Sequence, residues 1–294
     1  MIVLPLLLMM QGALLEPGGN PNPQRPSELP IPRAKKVAPV PVAPAAPPPT
    51  TEESRLLVCK AKIRTDPEGA VADAEAWIAE SQRLEAQRPG RLCLGMAQAA
   101  QLHWEAAEQT FTALAAETPL ATGGEDAVAY RAMAGTAALA GGFPERAIVL
   151  LDEAVQGGSA IAREQLGGIQ IDRGRALVTL GRSEEARAAL DQAKQLAPDD
   201  AEGWLLSATL YRRVRDLAAA QKDIEHAVAL DPVDPAIGLE AGVIAMLDGR
   251  EPAARKSWNS VIAAAPQSQE AKIAQGYLDQ IGPERAVPAS VARP

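Results

Sequence analysis

The chain has 294 residues and a formal net charge of −8, with 47% hydrophobic and 22% charged residues. The first 50 residues hold four basic and two acidic side chains, so the remainder carries −10. Such an acidic body argues against a nucleic-acid binder, because contact with phosphates requires clustered Lys and Arg. Having only two Cys and two His excludes a disulfide-dense scaffold and argues against a zinc site made of protein ligands alone.

The N-terminus begins with an apolar run, IVLPLLLMM at residues 2–10. Its length is typical of the hydrophobic region of a signal peptide and too short for a membrane span, so residues 1–13 are predicted to be an export signal. No basic residue precedes the run, and Gln11 stands where a small residue is preferred before cleavage after Ala13. The alternative is an uncleaved apolar tail on a cytoplasmic protein. No integral membrane span is predicted, and the run is the one feature that would bring the chain near a membrane.

Residues 14–52 are predicted to form a disordered linker. Thirteen of the 25 prolines and none of the nine aromatic residues lie in the first 50 positions. Such a composition cannot bury a core and favours an extended polyproline chain, which acts as a spacer.

From residue 53 onward the apolar residues follow a helical spacing. In residues 201–214, Trp204, Leu205, Ala208 and Tyr211 recur at intervals of three and four. Asp200 and Asp234 stand where they can cap helices. Glycines that fall between two helical patterns are predicted to adopt a left-handed turn; these are Gly142, Gly181 and Gly249.

An internal repeat is anchored by an alanine early in the second helix of each predicted pair. The anchors are Ala70, Ala107, Ala147, Ala186, Ala220 and Ala254. Twelve residues before them stand Val58, Gly95, Gly135, Gly174, Ala208 and Gly242, where small side chains let two helices approach closely. Four residues after them stand Ala74, Phe111, Leu151, Leu190, Ile224 and Trp258, which are mostly large and apolar.

This pattern resembles the tetratricopeptide repeat, with W-x2-L-G-x2-Y, then A-x3-F, then P over 34 residues. The repeats are clearest at 128–161, 167–200, 201–234 and 235–268; the best match, 201–234, carries Trp204, Ala208, Tyr211, Ala220 and Pro232. The resemblance implies an all-α fold: a right-handed α-solenoid of about six helix-turn-helix repeats over residues 53–282. Residues 268–281 would form the cap helix, and 283–294 a disordered tail. A segment at 160–166 is predicted to be an insertion or an extended helix.

No motif for catalysis is found, and no cofactor or metal is predicted. The sequence lacks the P-loop, the HExxH zinc motif and the GxSxG elbow. His103 and His226 are far apart in the pattern and are interpreted as solvated. The chain is therefore predicted not to be an enzyme.

The resemblance implies a concave groove, lined by the first helix of each repeat, that holds an extended peptide or a partner helix. Carried over by position, the candidate partner-binding residues are Arg175, Glu202, Leu205, Thr209, Arg212, Arg213, Val243 and Met246. The arginines are the candidates for recognition, because they lie on an acidic body and arginine binds carboxylates bidentately. The alternative is that Arg212 pairs with Asp216 and Arg175 with Asp172 as ordinary helix-surface ion pairs.

Cys59 and Cys93 are predicted to approach each other, since each lies on the first helix of its repeat and these helices are expected to be neighbours. A disulfide there would tie down the least regular repeat and would persist only after export. The alternative is two buried thiols.

Together these features predict a bacterial, exported, non-catalytic scaffold or adaptor that binds another protein in the periplasm or cell envelope. The alternatives are a cytoplasmic adaptor with the same fold and a non-catalytic subunit of an enzyme complex.

Overall fold

The computed structural model describes residues 51–122 and 124–283. The predicted export signal at 1–13, all but the last two residues of the linker, and the tail from 284 onward lie outside the described residues. The described ranges form thirteen α-helices and one short 3-10 helix, without a strand. The α-helices are α1 Thr51–Ile63, α2 Pro67–Ala79, α3 Leu84–Ala100, α4 Trp104–Ala116, α5 Gly124–Ala140, α6 Pro144–Gln156, α7 Arg163–Thr179, α8 Ser183–Leu196, α9 Ala201–Arg213, α10 Leu217–Leu230, α11 Pro235–Leu247, α12 Glu251–Ala264 and α13 Gln269–Ile281.

The helices form six consecutive hairpins, α1/α2 to α11/α12, followed by the single helix α13. Each even-numbered helix packs on its own hairpin partner and on the next odd-numbered helix. Odd-numbered helices also contact one another along most of the array, at α1/α3, α5/α7, α7/α9, α9/α11 and α11/α13. This confirms the predicted all-α solenoid. The odd-numbered helices are called the inner helices below, and the even-numbered ones the outer helices.

The close approach of the two helices in a hairpin depends on the predicted small residues. A Cβ atom built on Gly95 would lie 2.5 Å from the Phe111 ring, and one on Gly135 would lie 2.6 Å from Leu151. Gly174 has the same relation to Leu190, and Gly242 to Trp258. The large side chain of the outer helix therefore packs directly against the small residue of the inner helix.

The turns inside the hairpins repeat one backbone conformation. Gly142, Gly181 and Gly249 have φ values of 84°, 71° and 75°, as predicted. Leu102 and Arg215 occupy the equivalent position of the second and fifth hairpins with φ values of 61° and 68°. A left-handed conformation costs about 1–2 kcal/mol for a residue with a Cβ, so the turn geometry of the repeat prevails over local preference there.

Two boundaries differ from the sequence prediction. The first helix begins at Thr51, two residues before the predicted start of the repeat domain. Between the third and fourth hairpins a 3-10 turn at Gly158–Ala160 precedes α7, which begins at Arg163. The predicted irregularity at 160–166 is thus both an inserted turn and a longer inner helix.

The first hairpin departs from the pattern at Val58. The repeat placed Val58 at the contact between two helices, but the residue is 65% exposed and its neighbour Cys59 is buried. Leu56, Cys59 and Ile63 pack instead against α2 and α3 with Ala74 and Trp77. In the first inner helix, Cys59 therefore takes the inward contact that the small residue makes in the later hairpins.

Candidate binding face of the inner helices

The predicted partner-binding residues lie on three successive inner helices, α7, α9 and α11. Leu205, Thr209 and Arg212 are half-buried, whereas Glu202 and Arg213 are exposed. Val243 and Met246 are also half-buried, because they pack against the C-terminal core that includes α13. These residues, with Arg175, are called the inner face.

Arg175 is held by two carboxylates. It donates to Asp172, three residues earlier on α7, at 2.6 Å, and it forms an ion pair with Glu202 of α9. The Thr136 hydroxyl of α5 donates to the same Asp172 at 2.6 Å. Four residues therefore connect three inner helices, and the predicted pair of Arg175 with Asp172 is part of a larger network.

Arg212 does not form the ion pair with Asp216 that the sequence analysis gave as an alternative. Its Nε and Nη2 atoms donate to the two carboxylate oxygens of Glu240 on α11, at 2.5 and 3.3 Å. Asp216 is engaged elsewhere, because its side chain accepts from the backbone N–H of Ala219 and caps α10. The local pair is thus replaced by one between neighbouring repeats.

Arg213 differs from the other two arginines. It is exposed, and among the described residues no carboxylate lies within ion-pair distance of it. Its guanidinium therefore keeps all of its donors for solvent or for a binding partner.

The Thr136–Asp172 hydrogen bond and the Cys59–Cys93 disulfide join equivalent positions of successive inner helices. Relative to the small residue of each inner helix, Thr136 stands one place after Gly135, and Asp172 stands two places before Gly174. Cys59 and Cys93 hold the same two places in the first two hairpins, and the structure joins them by a disulfide with Cα atoms 6.1 Å apart. Successive inner helices are thus linked by a covalent bond at one end of the array and by polar contacts further along.

A buried polar cluster that the sequence analysis missed lies between α8, α9 and α10. The Lys194 ammonium donates to Ser207 at 2.9 Å and to Asp223 at 2.8 Å, and the Ser207 hydroxyl donates to Asp223 at 2.6 Å. Asp191 is a third partner, at 3.1 Å from Lys194. Burial by itself lowers the pKa of Lys194, but the hydrogen bonds and charges of Asp223 and Asp191 outweigh it, so the pKa is raised.

The aromatic residues near this cluster have mainly structural contacts. The Trp204 indole N–H donates to the carbonyl of Pro198 at 2.8 Å, and the ring lies 3.9 Å from that of His226, between centroids. Lys194 lies 5.1 Å from the Trp204 ring centroid.

Asp200 caps the start of α9. Burial raises the pKa of its carboxyl group, against the opposing effects of Arg175 and the Gly203 N–H.

Elsewhere the described surface offers little that resembles a small-molecule site. A shallow cavity of about 220 Å³ lies between α10, α11 and α12, lined by residues that include Ile224, Ala245 and Arg250. Within residues 51–122 and 124–283, no group of three or more His, Cys, Asp or Glu side chains is arranged to hold a metal ion. In the same ranges no helix has the length and apolar character needed to cross a membrane.

The fold and this face define the class of protein: an α-solenoid built from helical hairpins, with ion pairs that connect successive inner helices. Residues 167–210 and residues 201–234 each match a tetratricopeptide-repeat profile. The chain therefore carries tetratricopeptide repeats at residues 167–234. No curated protein sequence matches it significantly.

Solved structures share the fold at low sequence identity. PilW, described as a widely conserved type IV pilus biogenesis factor, has a TM-score of 0.63 at 16% identity, covering 78% of this chain and all of its own. PilF of Pseudomonas aeruginosa has a TM-score of 0.59 at 13% identity, covering 77% of this chain and 97% of its own. MamA of Desulfovibrio magneticus RS-1 has a TM-score of 0.51 at 16% identity, with coverages of 61% and 95%.

Proposed function

We propose that the protein is a non-catalytic scaffold that binds a segment of another protein on its inner face. Tetratricopeptide-repeat proteins are generally scaffolds for protein–protein interaction, which supports the coarse assignment. The observation that carries the finer proposal is Arg213, an exposed arginine without an ion-pair partner in the described part of the chain, beside two arginines that carboxylates hold in place.

The chemistry of the face favours an occupant with a carboxylate next to apolar side chains. Arg213 has the donors to bind a carboxylate bidentately, which orients an extended segment. The half-buried Leu205, Val243 and Met246 supply apolar contact on the same helices. Arg175 and Arg212 lose little side-chain freedom when a partner binds, because their ion pairs already restrain them.

The sharpest test replaces Arg213 alone. The Arg213→Glu variant should lose capture of the crosslinked partner in living cells and keep the stability of the parent, because no ion pair within the described residues is broken. Arg187→Glu is the matched control: this arginine is exposed on the outer helix α8, and its ion-pair partner among the described residues is Glu184 of the same helix. Capture unchanged in Arg213→Glu would remove Arg213 from the proposal.

The whole face is tested by the triple variant Arg175→Glu, Arg212→Glu and Arg213→Glu, which should abolish capture. Two of these changes break ion pairs. A second variant, Arg212→Glu combined with Glu240→Arg, therefore keeps the ion pair between these two positions with its charges exchanged. This swap should keep the fold and weaken capture. If the triple variant folds and still captures the same partners, recognition does not occur on the inner face.

We further propose that the protein acts in the cell envelope after export. The apolar run at residues 2–10 and a disulfide between Cys59 and Cys93 support this, since structural disulfides persist in oxidising compartments. Fractionation with N-terminal sequencing tests it. A mature protein that starts after the apolar run and is recovered from the periplasm is expected, whereas an intact N-terminus in the cytoplasm would support the alternative adaptor.

A further inference from the structure

We propose that α1 is a redox-released strap. In this proposal the Cys59–Cys93 disulfide holds α1 over an apolar face of α2 and α3, and reduction of the bond releases α1 while the array from α3 to α13 stays folded. The proposal does not depend on what the inner face binds.

The first observation is that α1 buries very little of itself. Of its side chains that the structure describes, only Cys59 is buried. Leu57 and Val58 are 59% and 65% exposed, so much of the apolar surface of the helix faces away from the array. A helix of 13 residues with so few buried contacts is marginal by itself.

The second observation is what α1 covers. Its inward side packs on a separate small core made of Ala74 and Trp77 of α2 and Cys93 of α3, with Leu94 at its edge. Ala74 and Trp77 are buried, as is Cys93 at 1% exposure. Release of α1 would therefore uncover an apolar face that contains one tryptophan.

The third observation is that the ion pairs of α1 lie at the surface, and that its other noncovalent contacts include the apolar packing of Leu56 and Ile63 and the Arg55 guanidinium 4.5 Å from the Trp77 ring centroid. Arg55 donates to both carboxylate oxygens of Glu80, and Lys62 donates to Asp73 at 2.6 Å. Both carboxylates are more than half exposed, and exposed ion pairs contribute little because water and salt screen them. The disulfide is thus the main restraint on this helix.

The release step consumes one dithiol. A thiolate of the reductant attacks Sγ of Cys59, the more exposed of the two cysteine residues, and Cys93 leaves as a thiolate that takes up a proton. The second thiol of the reductant then displaces Cys59, so two protein thiols and one reductant disulfide are formed. The Cys93 thiol has an acceptor nearby, since the carbonyl oxygen of Ala70 lies 3.9 Å from its sulfur.

Amide hydrogen exchange of the full chain, followed by mass spectrometry with and without dithiothreitol, tests the strap. Reduction should speed exchange in peptides from α1 by about 500-fold, the factor expected when the closure of a loop of 34 residues is lost. Peptides from α3 to α13 should keep their protection. The Cys59→Ser and Cys93→Ser double variant should behave as the reduced protein and should not respond to dithiothreitol.

Two outcomes would overturn the proposal. If α1 stays as protected in the reduced protein as in the oxidised one, the noncovalent contacts are sufficient and there is no strap. If protection is lost throughout the array, the disulfide supports the whole fold and not one helix. Circular dichroism of the double variant separates these outcomes, because a released α1 removes only one helix of thirteen.

Discussion

Single glycines decide how closely the helices of a hairpin pack. Gly242 is the clearest case, because a Cβ there would overlap the buried indole of Trp258, whose N–H donates to the carbonyl of Leu239 at 3.2 Å. The indole cannot move away without losing this hydrogen bond and its place in the C-terminal core.

We expect Gly242→Ala to lower the free energy of unfolding by about 1–2 kcal/mol, since overpacking outweighs the higher helix propensity of alanine. Gly276→Ala is the matched control, because a Cβ at this exposed position of α13 meets no other atom within 4 Å. The control should gain up to about 1 kcal/mol. Urea unfolding of both variants measures the change in the free energy of unfolding. Equal effects of the two changes would show that Trp258 can accommodate a Cβ at position 242.

Lys194 is the residue with the largest predicted effect on stability. Its side chain is 11% exposed and that of Asp223 is 7% exposed, so removing the ammonium leaves a carboxylate buried without its cation. We expect Lys194→Met to lose about 3 kcal/mol at neutral pH. Lys222→Met, a change of the same kind at an exposed site on α10, should have little effect.

The raised pKa of Lys194 also predicts a pH dependence. A lysine whose pKa is higher in the folded state stabilises the fold fully below its unfolded pKa of about 10.4, and this stabilisation disappears as the pH rises through the folded value. Urea unfolding between neutral pH and pH 11 should show a fall above about pH 10.4 that is smaller in Lys194→Met. Parallel pH profiles for the two proteins would contradict the assignment.

At the scale of elements, the sequence predicted contacts within a hairpin better than contacts between repeats. The spacing of sixteen residues from Gly95 to Phe111 and from Gly135 to Leu151 follows from helix and turn lengths alone, and the structure has these contacts. The partner of Arg212 lies 28 residues away, at Glu240. That pairing depends on how α9 and α11 stack, which local spacing does not encode, so Asp216 looked equally suitable.

The Lys194 cluster was missed for the same reason. Its members come from three helices of two hairpins, and each is unremarkable in its own helix. No local spacing links a lysine of one hairpin to a serine and an aspartate of the next, so the sequence pattern gave no signal for this cluster. The exposure of Val58 shows the reverse case, because the repeat pattern continued into α1 where the packing did not.

The disulfide between the first two inner helices, α1 and α3, predicts the oxidation state of the two cysteines. We predict that protein isolated from an oxidising compartment, unfolded and treated with iodoacetamide without reductant, takes up no alkyl group, because Cys59 and Cys93 are joined. Prior reduction should add two. Two alkyl groups on the unreduced protein would show free thiols and would remove the basis of the strap.

In the whole molecule, core packing, contacts between repeats and the proposed recognition site lie on different parts of the helical array. The outer helices and the small residues of the inner helices build a continuous core, as repeats that cannot bury a face alone require. Inner and outer helices both contribute contacts between repeats, the inner helix α9 carries the exposed Arg213, and a disulfide joins the first hairpin to the second. Recognition is therefore proposed where the face is both exposed and held in shape by its neighbours.

The central claim is that a partner binds the inner face, and a photo-crosslinking amino acid placed in living cells tests it most directly. One variant carries the crosslinker at Thr209, half-buried on the inner helix α9, and the other carries it at Lys222, exposed on the outer helix α10. We predict a defined crosslinked protein from position 209 that is absent from position 222 and is lost when Arg213→Glu is added. A partner crosslinked from position 222 and not from position 209 would contradict the claim and place recognition on the outer surface.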